Sequence, residues 1–129
     1  MKEFNIKTSS RIEMKNIDAI VMEAIKASEI YDGLCVIFVP HTTAAVTINE
    51  NADPAVRHDI ITRLNKLIPH RDDYTHMEGN SDAHIKASLV GSSETIIVKS
   101  GQPQLGTWQS VFFCEFDGPR NRKLWIEVK

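Results

Sequence analysis

The chain has 129 residues, of which 42% are hydrophobic and 25% charged, with a net charge of −2. These values are typical of one globular domain, and the slightly acidic balance argues against a nucleic-acid partner, which would favour a basic surface. No apolar run approaches the roughly 20 residues that span a bilayer, so no membrane contact is expected. The polar amino terminus is unlike a secretory signal, and Cys35 and Cys114 lie in apolar runs typical of buried thiols. A soluble cytoplasmic protein is the simplest interpretation.

The first third of the chain begins with alternation of apolar and polar residues over 4–8 and 12–14, which predicts an opening strand or hairpin. From residue 17 to 25 the apolar positions change to helical spacing, and Asn16 is the predicted N-cap of that helix. Residues 34–39 form a continuous apolar run of strand length, which predicts a strand buried on both faces.

The rest of the chain carries clearer boundary signals. A strand is predicted over 45–48, and Asp53-Pro54 predicts a helix start that Pro69 ends. A second helix is predicted over 82–90, ended by Gly91. The closing strands are predicted over 95–98, 110–116 and 124–128. The order β-α-β-β-α-α-β-β-β lacks regular βαβ alternation, which favours a single α+β domain with helices packed on a mostly antiparallel sheet.

Three histidines, His41, His76 and His84, are the most informative candidates for a site, because each lies in a polar segment that opens or closes an element. Histidine is the commonest metal ligand and titrates nearest neutral pH. His84 is predicted in the first turn of a helix, where the dipole disfavours an imidazolium and so favours the neutral, metal-binding form. A histidine that caps a turn is the ordinary alternative. His58 and His70 lie among charged residues and are interpreted as surface histidines.

Other polar residues are candidates with an ordinary structural alternative beside each. Glu50 is the candidate acid or base of the segment that begins at Asn49, because Asp53 is explained as an N-cap. Gly79 and Asn80 precede a helix whose free N–H groups would cradle a phosphate, or Asn80 simply caps that helix. Lys86 is interpreted either as a phosphate contact or as a solvated side chain.

Three further candidates complete this set. Thr42, together with Thr43, would orient the His41 ring or donate to an anion. Trp108 lies in a glycine-punctuated loop, where it would stack on a heteroaromatic ring or cover the edge of the core. Arg120 belongs to a compact basic turn that would bind an anion or form a plain exposed hairpin. Glu115 and Asp117 are two residues apart and are predicted on one face, which would be solvated if it is the outside of the sheet.

Five motifs in order carry a family resemblance, and together they span nearly the whole chain: His41-Thr42-Thr43-Ala44-Ala45, Thr47-Ile48-Asn49-Glu50-Asn51-Ala52-Asp53-Pro54, Ala83-His84-Ile85-Lys86, Gly106-Thr107-Trp108-Gln109 and Cys114-Glu115. The chain resembles the YjbQ-like family, whose members are also described as secondary thiamine-phosphate synthases. The segment between Glu78 and Ala83 is shorter than in relatives that carry a longer acidic, proline-containing stretch there.

The resemblance implies a homotrimer with a β-sandwich-like core flanked by helices and with polar motifs near the subunit boundary. It implies a divalent metal ion, zinc or a similar ion, held by His41, His76 and His84 with Glu50 or Glu115 nearby. Magnesium that arrives with a pyrophosphate substrate is the alternative. The implied reaction joins a pyrimidine methyl pyrophosphate to a thiazole phosphate as a weak, secondary activity, with His41, His84 and Glu50 as catalytic residues. The residues expected to contact the phosphorylated metabolite are Thr42, Asn49, Gly79, Asn80, Lys86, Trp108 and Arg120.

Three functions stay open on the sequence. The first is this transferase. The second is a metal-assisted hydrolase that uses Glu50 as its base, and the third is a non-enzymatic protein that binds a metal or a small anion.

Overall fold

The computed structural model describes all 129 residues as eight strands and three helices. The elements are β1 Lys2–Lys7, β2 Glu13–Asn16, α1 Asp18–Ser28, β3 Gly33–Phe38, β4 Ala44–Glu50, α2 Pro54–Leu67, α3 Ser81–Val90, β5 Ser93–Lys99, β6 Gln102–Pro103, β7 Gln109–Glu115 and β8 Asn121–Val128.

The strands form two sheets in which every neighbouring pair is antiparallel. One sheet has five strands in the order β1-β8-β3-β5-β6, and the other has three in the order β2-β7-β4. The main core of 16 buried residues joins the inner faces of both sheets to α1, and a smaller cluster joins the three-stranded sheet to α2 and α3. Side chains alternate along β7, so Phe113 faces the first cluster and Phe112 the second. The predicted α+β class with a sandwich-like core and flanking helices is confirmed.

Local signals place the helix ends well. The Asp53 carboxylate accepts a hydrogen bond from the Ala55 amide at 2.9 Å, so Asp53 is the N-cap that was predicted for α2. Helix α3 ends at Gly91, whose φ of 103° is a conformation that favours glycine. The N-cap of α1 differs from the prediction by one residue. Ile17 occupies that position, although Asn16 still accepts a hydrogen bond from the Asp18 amide at 2.8 Å.

The opening strands do not form a hairpin. Strand β1 pairs with β8 in the five-stranded sheet, whereas β2 pairs with β7 in the other sheet. The chain between them therefore crosses from one sheet to the other. The short strand β6 was not predicted; it consists of two residues paired with the end of β5.

Strand β3 is buried on one face only, so the prediction of two buried faces is wrong for the single chain. Cys35 and Ile37 are buried, whereas Leu34, Val36 and Phe38 are 46%, 36% and 39% exposed. The exposed Ile97 on β5 and the half-buried Trp125 on β8 pair with residues of β3 and continue this surface. We call these five residues the apolar face: Leu34, Val36, Phe38, Ile97 and Trp125.

Two exclusions follow from the fold. No helix is both long enough and apolar enough to cross a bilayer. Cys35 and Cys114 are buried, unpaired thiols, as predicted. Burial raises the pKa of Cys35 to about 11 and that of Cys114 to about 12, so neither forms a reactive thiolate near neutral pH.

Candidate functional site

One polar cavity of about 470 Å³ lies where three connections meet: the β3–β4 connection, the start of α3 and the β7–β8 connection. Its lining contains three histidines and two arginines beside two acidic residues. We call it the histidine pocket, and it is lined by Pro40, His41, Thr42, Thr43, His76, Glu78, Asn80, His84, Asp117, Arg120 and Arg122.

The fold brings His41 to His76 and His84 although 35 residues separate the first two in sequence. The rings of His76 and His84 meet edge to face with their centroids 5.3 Å apart. Glu78 lies beside them, with its carboxylate 3.9 Å from Nε2 of His76. His84 also lines two adjoining cavities, one towards Tyr74 and one towards Ser88, so it occupies the centre of a longer cleft.

The side chains of one chain do not form a metal site. No group of three or more histidine, cysteine or acidic side chains lies close enough together to hold a metal ion. Nε2 of His41 accepts a hydrogen bond from the backbone amide of Lys123 at 2.8 Å, so that nitrogen is already engaged. The three predicted ligands therefore share a pocket but do not converge on one point, and a metal held by all three does not fit the single chain.

The electrostatic setting of His41 favours its neutral form. Burial lowers the pKa of His41, and the nearby Arg122 guanidinium lowers it further, outweighing the opposite effect of Glu115. At neutral pH the ring is therefore an uncharged imidazole. Such a ring donates from one nitrogen and accepts at the other.

A buried ion pair supports the β7–β8 side of the pocket. Arg122 Nε donates to Glu115 at 2.9 Å, and its Nη2 donates to Oγ1 of Thr43 at 2.8 Å. Glu115 also accepts from the Thr8 hydroxyl at 2.8 Å. Burial alone would raise the pKa of the Glu115 carboxyl, but the hydrogen bonds from Arg122 and Thr8 outweigh it and hold the pKa below its ordinary value. Glu115 is thus a buried carboxylate that pairs with Arg122, and the prediction of a solvated side chain is wrong for it.

A second buried network supports α3. Asp82 accepts hydrogen bonds from Arg11 at 3.0 Å and from Lys86 at 3.3 Å, and its other oxygen lies 3.1 Å from Nδ1 of His70. Lys86 is only 1% exposed and also donates to Asn65. Its ammonium group is therefore a structural partner of Asp82. The prediction that Lys86 contacts phosphate is wrong for this structure, because Lys86 is enclosed by these partners and does not line the histidine pocket.

Three of the predicted site residues lie at or beside the other end of β4. Ala44 pairs with Glu115 beside the histidine pocket, whereas Glu50 pairs with Gln109 six residues further along. At about 3.3 Å per residue, Glu50 is roughly 20 Å from that end of the strand. The side chain of Asn49 accepts a hydrogen bond from the Glu50 amide, and Trp108 is 65% exposed. Within one chain, Asn49, Glu50 and Trp108 therefore do not line the histidine pocket.

Of the remaining predicted site residues, three line the histidine pocket and one forms the turn before α3. Thr42, Asn80 and Arg120 line the pocket, and Asn80 also donates to Asp117 at 2.8 Å. Arg120 donates to the same carboxylate at 3.0 Å, so Asp117 holds both groups at the rim. Gly79 has a φ of 76° and its amide bonds to the carbonyl of His76, so it forms the turn before α3 and its N–H is not free for an anion.

Sequence reasoning missed Glu78, Asp117 and Arg122 as residues of this site, although strand alternation contains a signal for Arg122. Arg122, Leu124 and Ile126 are two residues apart along β8, and the last two are core residues. An arginine on the same face must be buried, and a buried arginine requires an acidic partner. Glu115, on a strand with a nearly continuous apolar sequence, was the available acid.

Comparison with known proteins decides the family. Residues 2–129 match the family described as UPF0047 protein YjbQ-like. The chain belongs to the YjbQ-like UPF0047 family. It is 57% identical to a UPF0047 protein of Methanocaldococcus jannaschii, over 98% of this chain and 91% of that protein. It is 46% identical to the UPF0047 protein YugU of Bacillus subtilis, over 99% and 98% of the two chains.

Solved structures agree with this assignment. A protein of the yjbq/upf0047 family from Clostridium acetobutylicum, described as uncharacterized, superimposes with a TM-score of 0.98 at 50% identity over 100% of both chains. A conserved hypothetical protein from Thermus thermophilus gives a TM-score of 0.93 at 38% identity, again over 100% of both chains. These names indicate no activity, and the histidine pocket is the feature of the chain that points to one.

Proposed function

We propose that the histidine pocket binds a small phosphorylated metabolite and carries the transfer that joins a pyrimidine methyl pyrophosphate to a thiazole phosphate. The observation that supports this is the lining of the pocket, which combines three histidines with Arg120 and Arg122 and contains no hydrophobic side chain apart from that of Pro40. Such a lining suits a ligand with many acceptor oxygens better than an apolar ligand.

The transfer requires no covalent bond between the protein and either substrate. The bond between the pyrimidine methylene carbon and the pyrophosphate oxygen breaks, and its electron pair leaves with pyrophosphate. The thiazole nitrogen supplies the pair for the new carbon–nitrogen bond, so no proton must be moved and no nucleophilic side chain is required. What the site must supply is hydrogen-bond donors for the charge that develops on the leaving group. His41, His84 and Arg120 are among the donors that line the pocket.

A divalent ion enters this proposal with the substrate. Zinc held by three imidazoles does not fit one chain, because the three rings do not converge. Magnesium is bound mainly by phosphate oxygens and water, with one or two carboxylates from the protein. Glu78 and Asp117 are the carboxylates that line the pocket. Magnesium bound to the pyrophosphate, with these carboxylates beside it, is therefore the proposed ion.

A homotrimer is the proposed assembly, and the apolar face supports it. The continuous run of residues 34–39 has the composition of a strand covered on both sides, yet one side is bare in the single chain. Contact with other copies would cover Leu34, Val36 and Phe38. A cytoplasmic location is proposed with it, because free thiols at Cys35 and Cys114 suit a reducing compartment.

The test of the transferase compares three single variants: His41→Ala, His84→Ala and His58→Ala. Thiamine phosphate formed from the two substrates is measured by mass spectrometry at one fixed magnesium concentration, after circular dichroism has shown that all three proteins fold. His58 is exposed on α2, and its substitution should leave the rate unchanged. The other two should lower the rate about 10-fold or more, since each removes a hydrogen bond to a charged group.

Two outcomes would change this conclusion. Equal rates in all three variants would mean that the histidine pocket does not carry the reaction. Tight binding of pyrophosphate without any product would favour the non-enzymatic binder. The hydrolase has less support, because it requires Glu50 as a base and Glu50 lies at the far end of β4 from the pocket, whereas the transfer requires no base.

A further inference from the structure

The imidazole of His41 accepts a hydrogen bond from β8 just beyond the point where the pairing of β3 with β8 ends. The ladder between β3 and β8 ends at the pair of Phe38 and Trp125. Two residues before Trp125, the backbone amide of Lys123 donates to Nε2 of His41 at 2.8 Å. This is the only hydrogen bond that the ring makes within the chain. The ring is therefore joined to the end of the sheet by one nitrogen.

That hydrogen bond determines which nitrogen carries the proton. A backbone amide donates and does not accept, so Nε2 must present its lone pair to Lys123. A neutral imidazole has a single N–H, which must then lie on Nδ1. An imidazole whose Nε2 lone pair is engaged and whose Nδ1 carries a proton has no free lone pair for a metal ion.

The buried ion pair holds both partners of this hydrogen bond in place. Arg122 precedes Lys123 on β8, and its guanidinium donates to the Thr43 hydroxyl at 2.8 Å, two residues after His41. Glu115 binds the same guanidinium at 2.9 Å, and both side chains are almost fully buried. The β3–β4 connection is thus held against β8 by the Phe38–Trp125 pair before His41 and by the Thr43–Arg122 hydrogen bond after it.

We propose that His41 is a fixed N–H donor from Nδ1 to the phosphate oxygens of the bound metabolite, and that it is not a metal ligand. The assignment rests on the proposed binding of a phosphorylated ligand in the histidine pocket. Lys123 sets the tautomer through its backbone, and Arg122 and Glu115 are positioning residues that keep the amide and the ring together.

The tautomer is tested on the unliganded protein by long-range proton–nitrogen NMR of a histidine-labelled sample at pH 8. The spectrum of His41→Asn identifies the signals of His41. The expected pattern is the Nδ1–H tautomer, unchanged by zinc chloride and shifted at Nδ1 by inorganic pyrophosphate. An Nε2–H tautomer, or a zinc-induced coordination shift at either nitrogen of His41, would overturn the assignment. This measurement does not depend on the transfer reaction.

The donor role is tested with two isosteric substitutions. The amide nitrogen of His41→Asn can occupy the position of Nδ1, whereas the amide group of His41→Gln reaches the position of Nε2. Calorimetry with inorganic pyrophosphate should show binding by the Asn variant within about 3-fold of the native protein and binding by the Gln variant weakened about 10-fold or more. His58→Gln is the matched control and should bind like the native protein.

Each result decides one claim. Equal weakening by the Asn and Gln variants would overturn the Nδ1 donor, even if the native protein binds pyrophosphate. A native protein that does not bind pyrophosphate would overturn the proposed ligand class and the donor role with it. The NMR measurement of the tautomer would then still test whether the Lys123 amide determines which nitrogen of His41 carries the proton.

Discussion

A single lysine shows how burial decides between two chemical roles. Lys86 lies one helical turn from Asp82, and both side chains are almost completely buried. Burial lowers the pKa of Lys86, and the attraction of Asp82 opposes that change. An ammonium group in this position compensates the carboxylate beneath α3 and is not free to meet a ligand. Its removal should therefore affect folding before it affects binding.

Replacing Lys86 with alanine should lower the free energy of unfolding by about 3 kcal/mol, because it leaves Asp82 with one partner fewer and opens a cavity. The value lies at the low end for a broken buried pair, since Arg11 still donates to Asp82. Urea denaturation at pH 7 measures the change. Lys66→Ala, at an exposed position on α2, is the control and should change stability by less than about 0.5 kcal/mol. A loss as small as that of the control would contradict the structural role.

The site residues that sequence could predict are those whose neighbours along the chain contain the signal. The ends of β3 and α3 are predictable from Pro40 and from the polar run before α3. The pocket residues at or near these ends are His41, Asn80 and His84. The role of Lys86 was not predictable in this way, because its partners Asn65 and Arg11 are distant in sequence. The distance of Glu50 from the pocket within one chain was unpredictable for the same reason, because a polar motif does not reveal at which end of its strand a pocket lies.

At the scale of elements, α3 depends on an acidic residue inside the protein. Burial alone would raise the pKa of Asp82, but the hydrogen bonds from Arg11 and His70 outweigh it and the pKa lies below its ordinary value. A carboxyl whose pKa is lower in the folded state stabilises that state at pH values above its unfolded pKa, which is near 4 for aspartate. The stabilisation is lost as the pH falls through the folded value.

The unfolding free energy of the native protein should therefore decline below about pH 4. Asp82→Asn cannot titrate at this position, so its stability should be lower at pH 7 and should decline less steeply below pH 4. Asp59→Asn, at an exposed position on α2, should follow the native profile. Urea titrations from pH 7 to pH 3 give the comparison. Parallel profiles for Asp82→Asn and the native protein would show that Asp82 is not responsible for the acid sensitivity.

Element boundaries were predictable where the cause is local. Asp53 followed by Pro54 begins α2, and Gly91 ends α3, because capping and positive φ involve only a few neighbouring residues. Pairing was less predictable. Strands β1 and β2 alternate like a hairpin, yet their partners lie more than 95 residues away on β8 and β7. Nothing within the first 16 residues carries that information.

At the scale of the whole molecule, the α+β class followed from element order, whereas the division into two sheets did not. The run of residues 34–39 predicted a strand covered on both faces, and the single chain covers one. An apolar composition is typical of a strand that is covered on both faces, and other copies of the chain would supply the cover that one chain lacks. The proposed assembly would therefore bury Leu34, Val36 and Phe38.

The last prediction concerns that assembly. Light scattering of the native protein should give the mass of a trimer, about three times 14.6 kDa, at micromolar concentration. Val36→Lys places an ammonium group at the centre of the apolar face and should shift the protein towards monomer, because an unpaired charge is costly to bury between subunits. Ala55→Lys adds the same charge at an exposed position on α2 and should stay trimeric. A native monomer would contradict the trimer, and a Val36→Lys trimer as stable as the control would place the interface elsewhere on the chain.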